Sequence, residues 1–196
     1  MLFPEPIENL IKDFSKLPGI GPRAARRIVF FLLHQPNEFI DNFSQNIQNL
    51  RNKVYLCPIC FNFTNQKNQP CSICRNPKRD HQVICVVENI FDILPIEKTG
   101  QYQGVYHILG GTINLSEGIT PQKLRIKELI QRAYKAKEII LALNPTIEGD
   151  TTNLYLERIL QKTPVKITRL ARGLSSGSLL EYTDEITLSQ AIKNRK

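Results

Sequence analysis

The sequence predicts an α/β protein in which a helical N-terminal part and a small cysteine-rich module precede a parallel-sheet domain with a C-terminal segment. Three observations predict it. Residues 7–51 repeat apolar side chains at helical spacing. Residues 53–80, KVYLCPICFNFTNQKNQPCSICRNPKRD, are rich in Cys, Asn, Gln and Pro and lack that period. From residue 82 the apolar runs QVICVVEN, VYHILGG, EIILALN and VKITRLA alternate with helical stretches, as in a parallel sheet covered on both faces. The expected regions are 1–52, 53–80, 81–163 and 164–196.

In the first region, IENLIKDFSKL places Ile7, Leu10, Ile11, Phe14 and Leu17 on one helical stripe. PGIG breaks that helix, and Pro22 opens a second one that runs through RAARRIVFFLLHQ to Pro36. A third, weaker helical segment covers residues 37–51. Gly19 and Gly21 make a tight turn that leaves backbone N–H groups at the start of the second helix, where the helix dipole helps hold a phosphate. At about 100° per residue, Arg23, Arg26 and Arg27 share one side of that helix, and Ala24, Ala25, Ile28 and Leu32 share the other. LPGIGPRAARR thus resembles the helix-hairpin-helix of DNA-repair proteins, which grips the sugar-phosphate backbone without reading sequence. The competing reading is a packing corner with a solvated basic face.

Charge agrees with a polyanionic partner. The chain holds 26 Lys and Arg against 18 Asp and Glu, a formal net charge of +8. Up to residue 80 the count is 11 basic to 6 acidic, so positive charge is denser there.

Cys57-Pro-Ile-Cys60 and Cys71-Ser-Ile-Cys74 are two knuckles ten residues apart, a spacing that brings four thiolates onto one cation. They predict one structural Zn²⁺ per chain. With four sulfurs in the shell no position remains for water or substrate, so the metal is expected to hold a module too small to fold on its own core. A redox dithiol fits the tandem arrangement less well, and Cys85 reads as core. The start MLFPEPIENLIKDF is unlike a secretory signal, and no apolar run reaches the ~20 residues of a membrane helix. A cytoplasmic protein with reduced thiols is expected.

In the sheet domain, PQKLRIKELIQRAYKA predicts a helix with Leu124, Leu129 and Ile130 inward, and TTNLYLERILQK another. Glu88 ends the first strand, and LALNPTIEGD carries Glu148 and Asp150 beyond a later one. Acids at the C-terminal ends of strands are where open α/β folds place metal and phosphate chemistry. This pattern resembles the Toprim domain of topoisomerases, primases and some nucleases. Its catalytic members carry an Asp-x-Asp pair for Mg²⁺, which set against the type IA topoisomerase version falls on Asn144 and Thr146. An amide and a hydroxyl bring no charge to a cation that prefers anionic oxygens. The resemblance therefore implies a scaffold without its catalytic pair, whose remaining acids attract a loosely held ion or dock a basic surface. His34, His81 and His107 lie far apart and beside no nucleophile, and no G-x-x-x-x-G-K-[ST] loop occurs. LLEYTDE, residues 179–185, superficially matches a Walker B strand; without a phosphate loop it reads as a structural strand with solvated acids.

The order of hairpin, CPIC and CSIC, NPTIEGDTT and TRLARG…LEYTDEITL resembles the bacterial recombination mediator family RecR over nearly the whole chain. The resemblance implies a non-catalytic, sequence-independent DNA-binding repair factor for gapped or duplex DNA. It implies work with RecO, and in many organisms with RecF, to replace single-stranded-DNA-binding protein by RecA at gaps. It also implies homodimers or a homotetrameric ring. Carried over residue by residue, the zinc ligands are Cys57, Cys60, Cys71 and Cys74. The DNA contacts fall at Arg23 and Arg27, with Arg26 beside them, and the docking acids are Glu88, Glu148 and Asp150. There are two departures from the family: Ser175-Ser176 replaces Pro-Val, and Asp150 replaces glutamate. The alternatives are a Mg²⁺-dependent nuclease or topoisomerase and a zinc-dependent scaffold that binds only proteins.

Overall fold

The computed structural model describes residues 2–174, 176–177 and 179–195. It divides into two units, Met1–Val54 and Tyr55–Lys196. In the first, Pro22 at its first position starts α2 (Pro22–Leu33) after α1 (Glu5–Ser15), and Pro36 precedes α3 (Asn37–Asn52). Phe3 meets Phe30 edge-on at 5.4 Å, and Phe31 meets Phe39 at 6.2 Å. Among the described residues of these helices only Ala25 and Val29 are buried. The inward line of α2 is Ala25, Val29 and Leu32, at i, i+4 and i+7, so Ala24 is exposed and not on the buried side as expected. The expected α1 stripe is half covered, with Leu10 39% and Leu17 47% exposed.

The second unit begins with a short antiparallel pair, β1 (Tyr55–Leu56) and β2 (Phe63–Thr64), and one helical turn, α4 (Ser72–Arg75). Four strands follow: β3 (Asp80–Val87), β4 (Gly104–Ile108), β5 (Glu138–Leu141) and β6 (Lys166–Arg169). They form a parallel sheet in the order β4-β3-β5-β6. The helices are α5 (Ile93–Lys98), α6 (Ile126–Ala133), α7 (Ile147–Leu160) and α8 (Glu185–Lys193).

Alternate β3 residues feed two cores. Ile84 and Val86 pack with Val105, Leu129, Ile139, Leu141 and Leu156. Cys85 and Val87 pack with Ile93, Tyr106 and Ile108. Burial on both faces explains why the strand reads as an unbroken apolar run. Cys85 is core, and burial alone pushes its thiol up to about 12.

Three expected elements are corrected. Residues 121–136 are not one helix: Pro121–Lys123 is a 3₁₀ turn, Leu124 is extended at ψ 156°, and α6 starts only at Ile126. Leu124 still reaches the core, from a loop. The helix expected from Thr151 starts at Ile147, so Glu148 and Asp150 occupy its first turn. LLEYTDE is no strand: Leu180–Tyr182 is a 3₁₀ turn, and Asp184 caps α8 by accepting from the Thr187 N–H at 2.9 Å. A carboxylate two positions past a turn is a helix-start signal, and it prevails over the apolar pair before it. Of the Ser175-Ser176 departure, Ser175 lies outside the described residues.

Candidate functional site

The four cysteines converge as their spacing predicts. The Sγ atoms of Cys57, Cys60, Cys71 and Cys74 lie within 4.8 Å of one another, and all four residues are buried. The first knuckle turns back on itself through Phe61, whose φ of 68° is left-handed, and the Phe61 N–H donates to the Cys57 carbonyl at 3.0 Å. Cys71 precedes α4 and Cys74 lies within it. Cys57 Sγ accepts from the N–H groups of Ile59 (3.4 Å) and Cys71 (3.3 Å), a pattern that stabilises a thiolate. Hydrogen bonds from Cys60 and Cys74 pull the Cys71 thiol down, while the bond to Cys71 drives Cys60 upward. Four thiols this close cannot all ionise without a cation. Four buried, converging sulfurs fit a tetrahedral thiophilic metal and leave no open position for catalysis.

The knuckle is tied to the sheet. The Ile108 N–H on the outer edge of β4 donates to the Cys60 carbonyl at 3.0 Å. Phe61 packs edge-on against His107 at 5.5 Å and lies under the Arg125 guanidinium at 4.6 Å. Arg132 on α6 donates to the Tyr106 carbonyl at 2.7 Å. His107, fully buried, donates from Nε2 to the Arg125 carbonyl at 2.8 Å, and burial pushes its pKa down to about 3, so it stays neutral. Arg125, Arg132 and His107 were not legible as a group, although a charge inside the apolar series Ile126, Leu129, Ala133 was a usable signal.

At the hairpin, the Ile20 N–H closes the turn on the Leu17 carbonyl at 3.1 Å, and Gly19 takes φ +76°, which disfavours a side chain. Gly21 is different. Its backbone is extended, and a Cβ there would meet nothing within 4 Å. The fold itself does not demand glycine at 21; a close approach from outside would. Arg23, Arg26 and Arg27 are exposed, and among the described residues none of them enters an ion pair.

The acids sit where β3 and β5 diverge, the switch point of an open α/β sheet. Both oxygens of Glu88 are occupied: Oε1 accepts from the Asn144 backbone N–H and Oε2 from its side-chain amide, each at 2.9 Å. The Thr146 hydroxyl caps α7 by accepting from the Gly149 N–H at 3.0 Å. A Cβ at Gly149 would collide with the Asn144 carbonyl, so the loop closes only around glycine. The Arg172 guanidinium pairs with both oxygens of Asp150 and holds that carboxyl below its ordinary range. The Glu148 carboxylate has no hydrogen bond or ion pair among the described residues, beside an Ile147 that is 84% exposed.

Similarity to known proteins agrees with this geometry. Residues 7–51 match the family model described as RecR, helix-hairpin-helix, residues 82–171 match the Toprim domain, and residues 173–196 match RecR, C-terminal. The recombination protein RecR of Moorella thermoacetica is 47% identical over 197 residues, covering 100% of this chain and 98% of that protein. That of Chloroherpeton thalassium is 46% identical, covering 96% and 95%. That of Deinococcus radiodurans is 42% identical, covering 100% and 88%. With hairpin, cysteine cluster and acid-rimmed sheet in this order, the chain belongs to the RecR family of recombination proteins.

Proposed function

We propose that this chain is a non-catalytic mediator that holds DNA through its hairpin and works with RecO, and where present RecF, to load RecA at single-stranded gaps. The observation that carries the non-catalytic part is the Glu88–Asn144 pairing. In a Mg²⁺-dependent relative, the strand-end acid and an aspartate would share a cation. Here a neutral amide takes the cation's place and satisfies the carboxylate with two N–H donors, so an ion must break those bonds to enter.

Three exposed arginines beside an open Gly21 support the DNA-binding part: guanidinium groups and helix-start N–H donors suit phosphate oxygens and carry no base information. The proposed contacts are Gly19, Gly21, Arg23, Arg26 and Arg27. The division into 1–52 for DNA, 53–80 for the metal, 81–163 for partner docking and 164–196 for subunit contacts follows the same reading. The metal is zinc, held by Cys57, Cys60, Cys71 and Cys74, and its role is to fold the module. Among the docking acids, Glu148 with its neighbour Ile147 meets a basic partner first, since Glu88 and Asp150 are already bonded within the chain.

Subunit assembly is supported by an apolar groove of about 490 Å³ in the N-terminal unit, lined by residues that include Ile7, Leu10, Phe14, Val29, Ile40 and Phe43. Among the described residues no helix is long and apolar enough to cross a membrane.

Purified protein incubated with labelled gapped duplex and Mg²⁺ tests the reading. Binding without strand cleavage is expected; cleavage that disappears in Glu148→Ala would overturn it. Light scattering with and without DNA reads the assembly.

A further inference from the structure

Arg132 is out of place in its helix. The inward series of α6 is Ile126, Leu129 and Ala133, and Arg132 sits in its last turn among them. The two N–H groups of its Nη1 are shared among three acceptors: the Tyr106 carbonyl at 2.7 Å, His107 Nδ1 at 3.2 Å and the Ile59 carbonyl at 3.4 Å. His107 is arranged to receive it. With Nε2 donating to the Arg125 carbonyl, Nδ1 is left as the acceptor, and arginine can only donate. Ile59 lies between the two cysteines of the first knuckle, and its own N–H donates to Cys57 Sγ.

All three acceptors are neutral. Among the described residues, no ion pair involves Arg132. A largely desolvated guanidinium without a counter-charge is costly, and such groups are normally paired. Through the Ile59 carbonyl, which lies between Cys57 and Cys60, the guanidinium borders the cysteine cluster. Four thiolates around a divalent ion leave a net charge of about −2 on the centre, which itself calls for nearby positive charge or N–H donors.

We propose that Arg132 is the counter-charge of the metal–thiolate centre and the bolt that fixes the first knuckle to β4. Electrostatics point the same way: burial pulls the Arg132 guanidinium down from its ordinary range, and Cys74, Cys60 and Cys57 pull it back up. The bolt is reinforced at its far end, where the Cys60 carbonyl accepts from Ile108 and Phe61 wedges between His107 and Arg125. Arg132 is a positioning residue. It acts on the metal through the knuckle backbone and through its charge, and it ligates nothing.

The inference rests on the metal reading, and the test separates the two. Full-length protein is loaded with Zn²⁺ or Co²⁺, and release to a chromogenic chelator is followed with the Co²⁺–thiolate absorption. Arg132→Met is expected to release the metal about 10-fold faster or more, the range seen when outer partners of metal ligands are removed. Arg132→Lys, which keeps the charge but loses the planar fork, should lie between it and the parent chain. Leu156→Ala hollows the same core from α7 and controls for general loosening. It should lower the melting temperature without speeding release.

Release from Arg132→Met at the parent rate, or equal acceleration by Leu156→Ala, overturns the role of Arg132 and leaves the metal centre standing. If Arg132→Met does not fold, Arg132→Lys decides: release faster than from Leu156→Ala supports the proposal, and release at or below that rate overturns it. A parent chain that takes up no stoichiometric metal, and melts identically with and without chelator, overturns the metal reading itself.

Discussion

Across its three helices the N-terminal unit buries only Ala25 and Val29 among its described residues, whereas the C-terminal unit closes two cores and a cysteine cluster around one sheet. Leu33, Phe31, Ile47 and Leu50 in the first unit are all more than half exposed. A helical unit that buries so little is marginal on its own core. The second unit meets the same shortage in residues 53–80 with convergent sulfur. One unit therefore leaves most of its apolar surface open, and the other encloses its own.

The most direct way to break that contrast is Cys71→Ser. It should abolish stoichiometric metal and unfold residues 53–80, a loss on the order of 10 kcal/mol of metal-linked folding energy. Metal analysis with calorimetry checks it; a variant with unchanged metal content and melting temperature would contradict the account. The N-terminal helices, which hold no ligand, should keep their far-ultraviolet dichroism.

Next in size is Arg79→Met. Arg79 pairs with Glu97 and also donates to the Tyr102 and Gly104 carbonyls. Losing these charge-assisted bonds should cost about 2 kcal/mol, or roughly 4–8 °C in melting temperature. The bond from Arg79 holds the Glu97 carboxyl below its ordinary value of 4.5. Its folded pKa is depressed, so the stabilisation is complete above about 4.5 and fades as pH falls through the lower folded value. The stability difference between parent and variant should shrink in acid over that window.

A third change touches only the open unit. Arg23→Ala with Arg27→Ala should weaken gapped-duplex binding by about 10-fold and reduce the salt slope of log K by about 2, with no shift in melting temperature. An unchanged slope would remove the hairpin from the interface. The smallest effect belongs to Asp150→Asn. Arg172 and Asp150 are both more than a third exposed, so solvent screening limits the pair to less than about 1 kcal/mol. The measurable consequence is a looser C-terminal segment, because the Arg172 carbonyl accepts from Asn194 beyond α8. Faster amide exchange over residues 185–193 reads it.

What was legible in the sequence had local chemistry. Two knuckles name their own partners, and continuous apolar runs announce doubly buried strands. The alternation of strand and helix was enough for the sheet, and Asn144 and Thr146 were recognisable as missing acids. What those residues do instead was hidden, because Asn144 finds Glu88 across 56 residues of chain and Thr146 acts as a cap only once α7 begins at Ile147. Arg132 was hidden for the same reason, since its acceptors come from the knuckle and from β4. The C-terminal misreading had another cause: Leu179 and Leu180 read as strand, yet both are exposed, and the capping carboxylate of Asp184 decides the local structure.

The outer edge of β4 has a consequence for the cell. Every residue of Gly104–Ile108 is buried, and the two ends of the sheet are guarded differently. β6 carries Lys166 and Arg169, charges that repel an incoming strand. β4 has its Gly104 and Tyr106 carbonyls and its Ile108 N–H satisfied by Arg79, Arg132 and Cys60. Were the first knuckle to let go of β4, the Ile108 N–H would lose its acceptor on a strand buried along its whole length, and such an edge is a template for cross-strand aggregation. The cysteine knuckle is thus a sentry against self-templating as well as a part of the fold.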